Sequence, residues 1–165
     1  MRAIVLGSLA AILVQPFVYV LWGGIAWPAG GPAALPALMG ALEAVAATAA
    51  AFVAVLWVPF FLLLRWLGRT DRATILSCGV LIAAVPGAVR GWPLATVCGG
   101  CSSAGRWHGH FVQFEASGVL TRYAWLRYLE GVALYGVHGL VGALAFYVVW
   151  RRSADAATRR RDRAP

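Results

Sequence analysis

Two cysteines and two histidines occur close together in the sequence, in the pattern C-x2-C-x6-H-x-H over residues 98–110. Cys98 and Cys101 could close a short disulfide loop or exchange thiols with a partner protein. Together with His108 and His110 they could instead bind zinc, because two thiolates and two imidazoles form a suitable tetrahedral set. We favour a structural disulfide, because an exported loop meets an oxidising compartment and oxidation removes two of the four metal ligands.

The composition indicates that lipid surrounds most of the chain outside this loop. The chain has 165 residues, of which 61% are hydrophobic and 12% charged, whereas soluble domains carry about a quarter charged residues. A helix of about 20 residues spans the ~30 Å hydrocarbon layer of a bilayer. We therefore predict an all-α integral membrane protein with one domain over residues 1–150, whose four transmembrane helices cover residues 3–22, 44–64, 73–90 and 131–150.

The distribution of arginine predicts the orientation of these helices. All 14 basic residues are Arg, and ten of them lie in the N-terminus, the turn at 65–72 and the tail at 151–165, which we expect to be disordered. Cytoplasmic segments are enriched in Arg and Lys, so both termini are predicted to be cytoplasmic and the loop at 91–130 to be exported. The absence of Lys and Asn indicates a GC-rich genome, and we therefore expect a bacterial inner membrane.

The net charge of +8 could indicate a nucleic-acid partner, but its distribution favours a membrane. Six of the 14 arginines lie in the last fifteen positions. A local cluster of this kind is typical of a membrane anchor and a topology signal. We expect the lipid bilayer as a partner and no nucleic acid.

The exported loop ends in an aromatic and basic segment at 119–130. We predict a short interfacial helix on the outer surface here, and the alternative is an extension of the fourth transmembrane helix above the bilayer. Arg122 and Arg127 belong to this segment. Glu43 and Arg90 lie at the outer ends of the second and third transmembrane helices, where their charges can reach the headgroups or each other.

Two polar residues lie within the predicted transmembrane helices. Gln15 and His138 each sit about seven residues from the outer end of their helix, so they could form a hydrogen bond worth about 0.6–2 kcal/mol between the first and fourth helices. The alternative is a role in proton relay. We favour the structural role, because no second buried charge accompanies His138.

The fourth transmembrane helix has a surface of small residues, which suits close packing either inside the molecule or with another membrane protein or a second copy. Its members are Ala133, Gly136, Gly139, Gly142 and Ala145.

The sequence contains no Walker loop, no H-E-x-x-H, no G-x-S-x-G and no run of paired carboxylates. We therefore expect a non-enzymatic accessory, scaffold or immunity-type subunit that acts through helix packing and its exported loop, without a cofactor. One alternative is a thiol-disulfide redox protein that uses Cys98 and Cys101. The other is a metal-handling protein with zinc bound by the cysteines and histidines of the exported loop.

Overall fold

The structure is a computed structural model that describes residues 1–26, 34–96 and 99–161, and it is mostly helical. The helices are α1 (Arg2–Leu13), α2 (Gln15–Ala26), α3 (Ala34–Phe52), a π-helical turn (Val53–Trp57), α4 (Val58–Trp66), α5 (Arg72–Arg90), a 3-10 turn (Pro93–Thr96) and α6 (Arg122–Arg161). The strands are β1 (Ser103–Trp107), β2 (His110–Ala116) and β3 (Val119–Leu120).

The described residues include four helical stretches that are long and apolar enough to cross a membrane, judged by length and composition. They are Arg2–Trp22, Pro36–Trp66, Arg72–Arg90 and Arg122–Ala157. The first stretch contains α1 and most of α2, which are separated at Val14. Pro16 has no N–H to donate to the carbonyl of Ile12, which weakens the helix at this point. The prediction of four apolar helices is confirmed at this level.

The core of the bundle forms around α6, which packs along α1 and α5. Phe146 of α6 is fully buried, as are Phe61 of α4 and Ile75 of α5. The Phe146 ring makes edge contacts with Phe61, at 4.7 Å between centroids, and with Trp57, at 5.5 Å. One aromatic side chain of α6 therefore joins α6 to the second span.

Small residues bring α5 and α6 into backbone contact. A Cβ atom added to Gly139 would overlap the carbonyl oxygen of Gly79 and lie 2.7 Å from the Cβ of Ala83. A Cβ atom added to Gly79 would overlap the Cβ of Ala143. This part of the predicted small-residue surface therefore packs internally against α5.

The all-α prediction is wrong for the loop between α5 and α6, which folds into an antiparallel three-stranded sheet in the order β1-β2-β3. Two-residue turns connect the strands, and all four turn residues have positive φ: His108 (47°), Gly109 (81°), Ser117 (50°) and Gly118 (81°). Turns with positive φ at both positions match the twist of a hairpin, and glycine favours them. The β2 segment also alternates apolar and polar residues, as a strand with one buried face does.

The predicted interfacial helix is also absent as a separate element. Residues 122–130 form the first turns of α6, which is the alternative stated above. The helix has 40 residues and is therefore about 60 Å long, roughly twice the thickness of the hydrocarbon layer. It continues to Arg161, through most of the tail that was predicted to be disordered, because Ala and Arg between 151 and 161 favour a helix.

Candidate functional site

The sheet is attached to α6 through the carboxylate of Glu130. The Trp107 indole N–H donates a hydrogen bond to Glu130 Oε2 at 2.6 Å, and His108 Nε2 lies 3.1 Å from Glu130 Oε1. The Trp107 and His108 rings also touch edge to face, with centroids 4.7 Å apart. One carboxylate therefore holds the end of β1 and the first turn of the sheet. We call this contact, together with that of Arg127 described next, the sheet–helix junction.

A second set of contacts holds β2 against the beginning of α6. The Arg127 guanidinium lies 4.9 Å from the centroid of the Phe114 ring, which is a cation-π distance. The Thr121 N–H donates to the Phe114 carbonyl at 2.9 Å, and its hydroxyl donates to the Gln113 carbonyl. Arg127, one of the predicted interfacial residues, therefore has a structural position within the junction.

The other predicted interfacial charges lie apart from the junction. Arg122 stacks on the neighbouring Tyr123 ring at 4.9 Å and donates to its hydroxyl at 3.1 Å. Glu43 and Arg90 are exposed, and neither forms an ion pair with another described residue. These residues can therefore meet solvent or headgroups directly.

An aromatic cluster joins the end of α5 to α6 beside the junction. Trp92 makes edge contacts with Trp125 and Tyr128, with both centroid distances at 5.7 Å. The Tyr128 hydroxyl donates to the carbonyl of Ala88 at 3.1 Å. Trp and Tyr clusters are typical of the boundary between hydrocarbon and water, so this cluster indicates where α6 would cross such a boundary.

Three of the four predicted zinc ligands, Cys101, His108 and His110, lie in the described residues and are not gathered around one point, whereas Cys98 lies outside them. Cys101 lies before β1 and His108 follows it, so the length of the strand, about 13 Å, separates them. Zinc ligands must lie about 2.0–2.3 Å from one metal ion. Within residues 1–26, 34–96 and 99–161, no three His, Cys, Asp or Glu side chains gather in a way that could hold a metal ion. His108 instead pairs with Glu130, and His110 is exposed at the start of β2.

The cysteines differ in their state. Cys78 on α5 is a free thiol, half-buried against the core of the bundle. Cys101 is not a free thiol, and its carbonyl accepts a hydrogen bond from Gly118 at 2.7 Å. Cys98 lies outside the described residues, so its pairing with Cys101 stays a prediction.

Gln15 and His138 meet inside the bundle. His138 Nδ1 lies 2.6 Å from Gln15 Oε1, and Gln15 Nε2 donates to the carbonyls of His138 at 3.2 Å and Ala11 at 3.1 Å. Gly142 leaves the space for this amide, because a Cβ atom there would come within 2.7 Å of Gln15 Nε2. The buried amide has partners for both its oxygen and its nitrogen, so the pair links the first span to α6.

Sequence reasoning missed Glu130, the residue on which the junction depends. Its partner Trp107 is 23 positions away, and nothing in the local pattern connects the two. The signal that was available is the position of a single carboxylate immediately before an apolar run, because a charge at such a depth needs a partner.

Comparison of the chain with protein-family models, with curated proteins and with solved structures finds no match. Its function is therefore inferred from the contacts described above.

Proposed function

We propose that this protein is a non-enzymatic accessory, scaffold or immunity-type subunit of a bacterial inner membrane, with both termini in the cytoplasm and the sheet on the exported side. It acts by presenting the sheet to another membrane protein. One observation carries this proposal: Glu130, His108 and His138, three of the side chains that could do chemistry, are used in structural contacts. Glu130 holds Trp107 and His108, and Gln15 holds His138.

The surface offered to the partner is the face of the sheet that points away from α6. On β2, Val112 is 8% exposed, whereas the neighbouring Phe111 is 77% exposed. An exposed aromatic side chain on a sheet is a suitable anchor for a protein partner, because interface hot spots are enriched in large side chains that become buried. Gln113 lies on the same face and is exposed, so it can contribute hydrogen bonds around the ring.

The orientation and the cysteine pair support each other. Ten arginines lie on the predicted cytoplasmic segments and four on the other side, which favours export of the sheet. The exported side is oxidising, so we assign Cys98 and Cys101 to a structural disulfide just before β1. Cys101 is not free, as this assignment requires.

The proposal is tested by photocrosslinking in the membranes of the native host. A photoreactive phenylalanine analogue replaces Phe111 in one variant and Phe17 in the control, because Phe17 is 68% exposed but lies on the first span. We expect a discrete adduct with one membrane protein from position 111 and none from position 17. No adduct from position 111, or the same adducts from both positions, would overturn the proposal.

A second variant separates the scaffold from a thiol-disulfide carrier. If Cys101 exchanges thiols, Cys101→Ser leaves Cys98 to trap a mixed disulfide with its partner under mild oxidation. The scaffold predicts no trapped species and an unchanged adduct from position 111. A mixed disulfide of defined mass would replace the scaffold with the redox alternative.

A further inference from the structure

A groove of about 750 Å³ lies between the sheet and the adjoining ends of α5 and α6. Residues of β1 from Ser103 to Arg106 line one side, and residues of α6 from Ala124 to Tyr135 line the other. The α5 helix contributes Gly87, which has no side chain and leaves room for the Tyr135 ring, because a Cβ atom there would overlap that ring. The groove is open to the surroundings, so a long flexible molecule can enter it from the side.

The polarity of the groove changes along α6. Arg127 and Tyr128 lie at the level of the aromatic cluster, and Val132 and Tyr135 lie further towards the middle of the span. The distance along the helix from Tyr128 to Tyr135 is about 10 Å. The groove therefore runs from the level of the membrane boundary into the depth of the hydrocarbon, with charged residues at one end and apolar ones at the other.

The accessible charge at the polar end is positive. Arg127 lines the groove, is exposed and forms no ion pair with another described residue. Arg106 also borders the groove, but it pairs with Phe111 across the strands, so its side chain belongs to the face of the sheet that points away from α6. The Arg127 guanidinium lies 4.9 Å from the centroid of the Phe114 ring, and a guanidinium has five N–H donors, so this contact leaves donors for a ligand. Glu115 also lines this end, but its side chain is only 8% exposed and already has a partner.

We propose that this groove binds an anionic phospholipid. The phosphate accepts hydrogen bonds from Arg127, and the first methylene groups of an acyl chain lie along Val132 and Tyr135. Charge complementarity and the graded polarity together select this occupant, because a zwitterionic lipid fits the apolar end equally but brings no net negative charge to the Arg127 guanidinium. The inference goes beyond the scaffold function, since it requires neither a protein partner nor Phe111.

The test uses the full chain, purified in neutral detergent, and measures lipid binding by native mass spectrometry. Phosphatidylglycerol is compared with phosphatidylcholine of the same chain length. We expect phosphatidylglycerol to bind about tenfold more tightly, and Arg127→Gln to remove most of that preference, as expected for the loss of one charge-assisted hydrogen bond. Arg122→Gln removes the same charge from a residue outside the groove and keeps the preference.

Two further variants protect the test against a general effect on the fold. Arg106→Gln removes a charge from the other face of the sheet, and Val132→Trp fills the apolar end without changing the charge. We expect Val132→Trp to weaken binding of phosphatidylglycerol and Arg106→Gln to leave it unchanged. Equal binding of the two lipids, or equal losses from Arg122→Gln and Arg127→Gln, would overturn the proposal. The purified chain has no partner, so neither result depends on the adduct from position 111.

Discussion

The α5–α6 contact and the sheet–helix junction hold the same helix by different means. The contact between α5 and α6 depends on the absence of side chains at Gly79 and Gly139, which allows the two backbones to touch. At the junction, Glu130 and Arg127 hold the sheet through hydrogen bonds and a stacked ring. Apolar side chains gain little by meeting each other when lipid surrounds a bundle, so on the proposed membrane placement close backbone packing stabilises α5 against α6. The small sheet has little core of its own, and directional polar contacts hold it in place.

The largest expected effect is at the α5–α6 contact. Gly139→Ala places a methyl group where the Gly79 carbonyl and the Ala83 side chain now lie, so the two helices must separate. We expect a loss of about 1–3 kcal/mol of stability, the usual cost of overpacking a tight contact. Thermal unfolding in detergent measures it. Gly40→Ala is the matched control, because a Cβ atom at this helical glycine meets nothing within 4 Å, and equal midpoints for the two variants would contradict the packing.

The junction is tested by Glu130→Ala, which leaves the Trp107 indole N–H without its acceptor. We expect a cost of about 1–2 kcal/mol that is confined to the sheet, so amide hydrogen exchange over residues 103–116 becomes about tenfold faster. Exchange within α5 is expected to stay unchanged. Leu129→Ala, which changes an exposed neighbour, serves as the control. Unchanged exchange in the sheet of the Glu130 variant would show that other contacts hold it.

A smaller effect is expected for Gln15→Leu, which keeps the size of the side chain but removes its hydrogen bonds to His138. Such a bond between transmembrane helices is worth about 0.6 kcal/mol on average, and up to about 2 kcal/mol. We expect a modest decrease in the unfolding midpoint, below that of Gly139→Ala. Phe17→Leu on the exposed side of the same helix is the control. A higher midpoint for Gln15→Leu would show that burying the amide destabilises the fold by more than its hydrogen bonds stabilise it.

The smallest expected effect is at the opposite end of the bundle, where Asp71 caps α5. Its carboxylate accepts hydrogen bonds from the Thr74 N–H at 2.9 Å and the Thr74 hydroxyl at 2.8 Å, and these bonds lower its pKa. A carboxyl group with a lowered pKa stabilises the folded state above its unfolded pKa of about 3.9, and this contribution is lost as the pH falls through the lowered value.

Thermal unfolding measured from about pH 6 to about pH 3, a range that brackets the ordinary pKa of an aspartate, detects this loss. Asp71→Asn keeps a side chain that can cap the helix but does not titrate. We expect the difference in midpoint between the natural chain and this variant to shrink as the pH falls. A difference that stays constant over the range would exclude a contribution from the cap.

The spans could be predicted from sequence because their signal is local. Twenty apolar residues in a row indicate a membrane helix whatever lies elsewhere in the chain. Gln15 and His138 could be paired for a similar reason, since two polar groups at similar depth in neighbouring helices have few other partners. The small residues around Gly139 predict that this helix packs closely against another one, but the sequence does not identify the helix of Gly79 as its partner.

The sheet was harder to predict, although part of its signal is present. His108-Gly109 and Ser117-Gly118 are two-residue hairpin turns. Recognised as such in the sequence, each of them would predict a strand on either side. The contact between Trp107 and Glu130 has no local signal, because it depends on how the sheet folds back onto α6. The strand β1 also explains why Cys101 does not meet His108 and His110, which are close to it in sequence, since an extended strand lies between them.

The central claim is that four crossings place the sheet on the exported side of the membrane, and reporter fusions test it most directly. Truncating fusions after Gly68 and after Ser103 join the same reporters to the turn between α4 and α5 and to the start of β1. The account predicts that a reporter active only in the cytoplasm works after Gly68, and that one active only after export works after Ser103. Signals from the same side at both positions, or the reverse pattern, would contradict it.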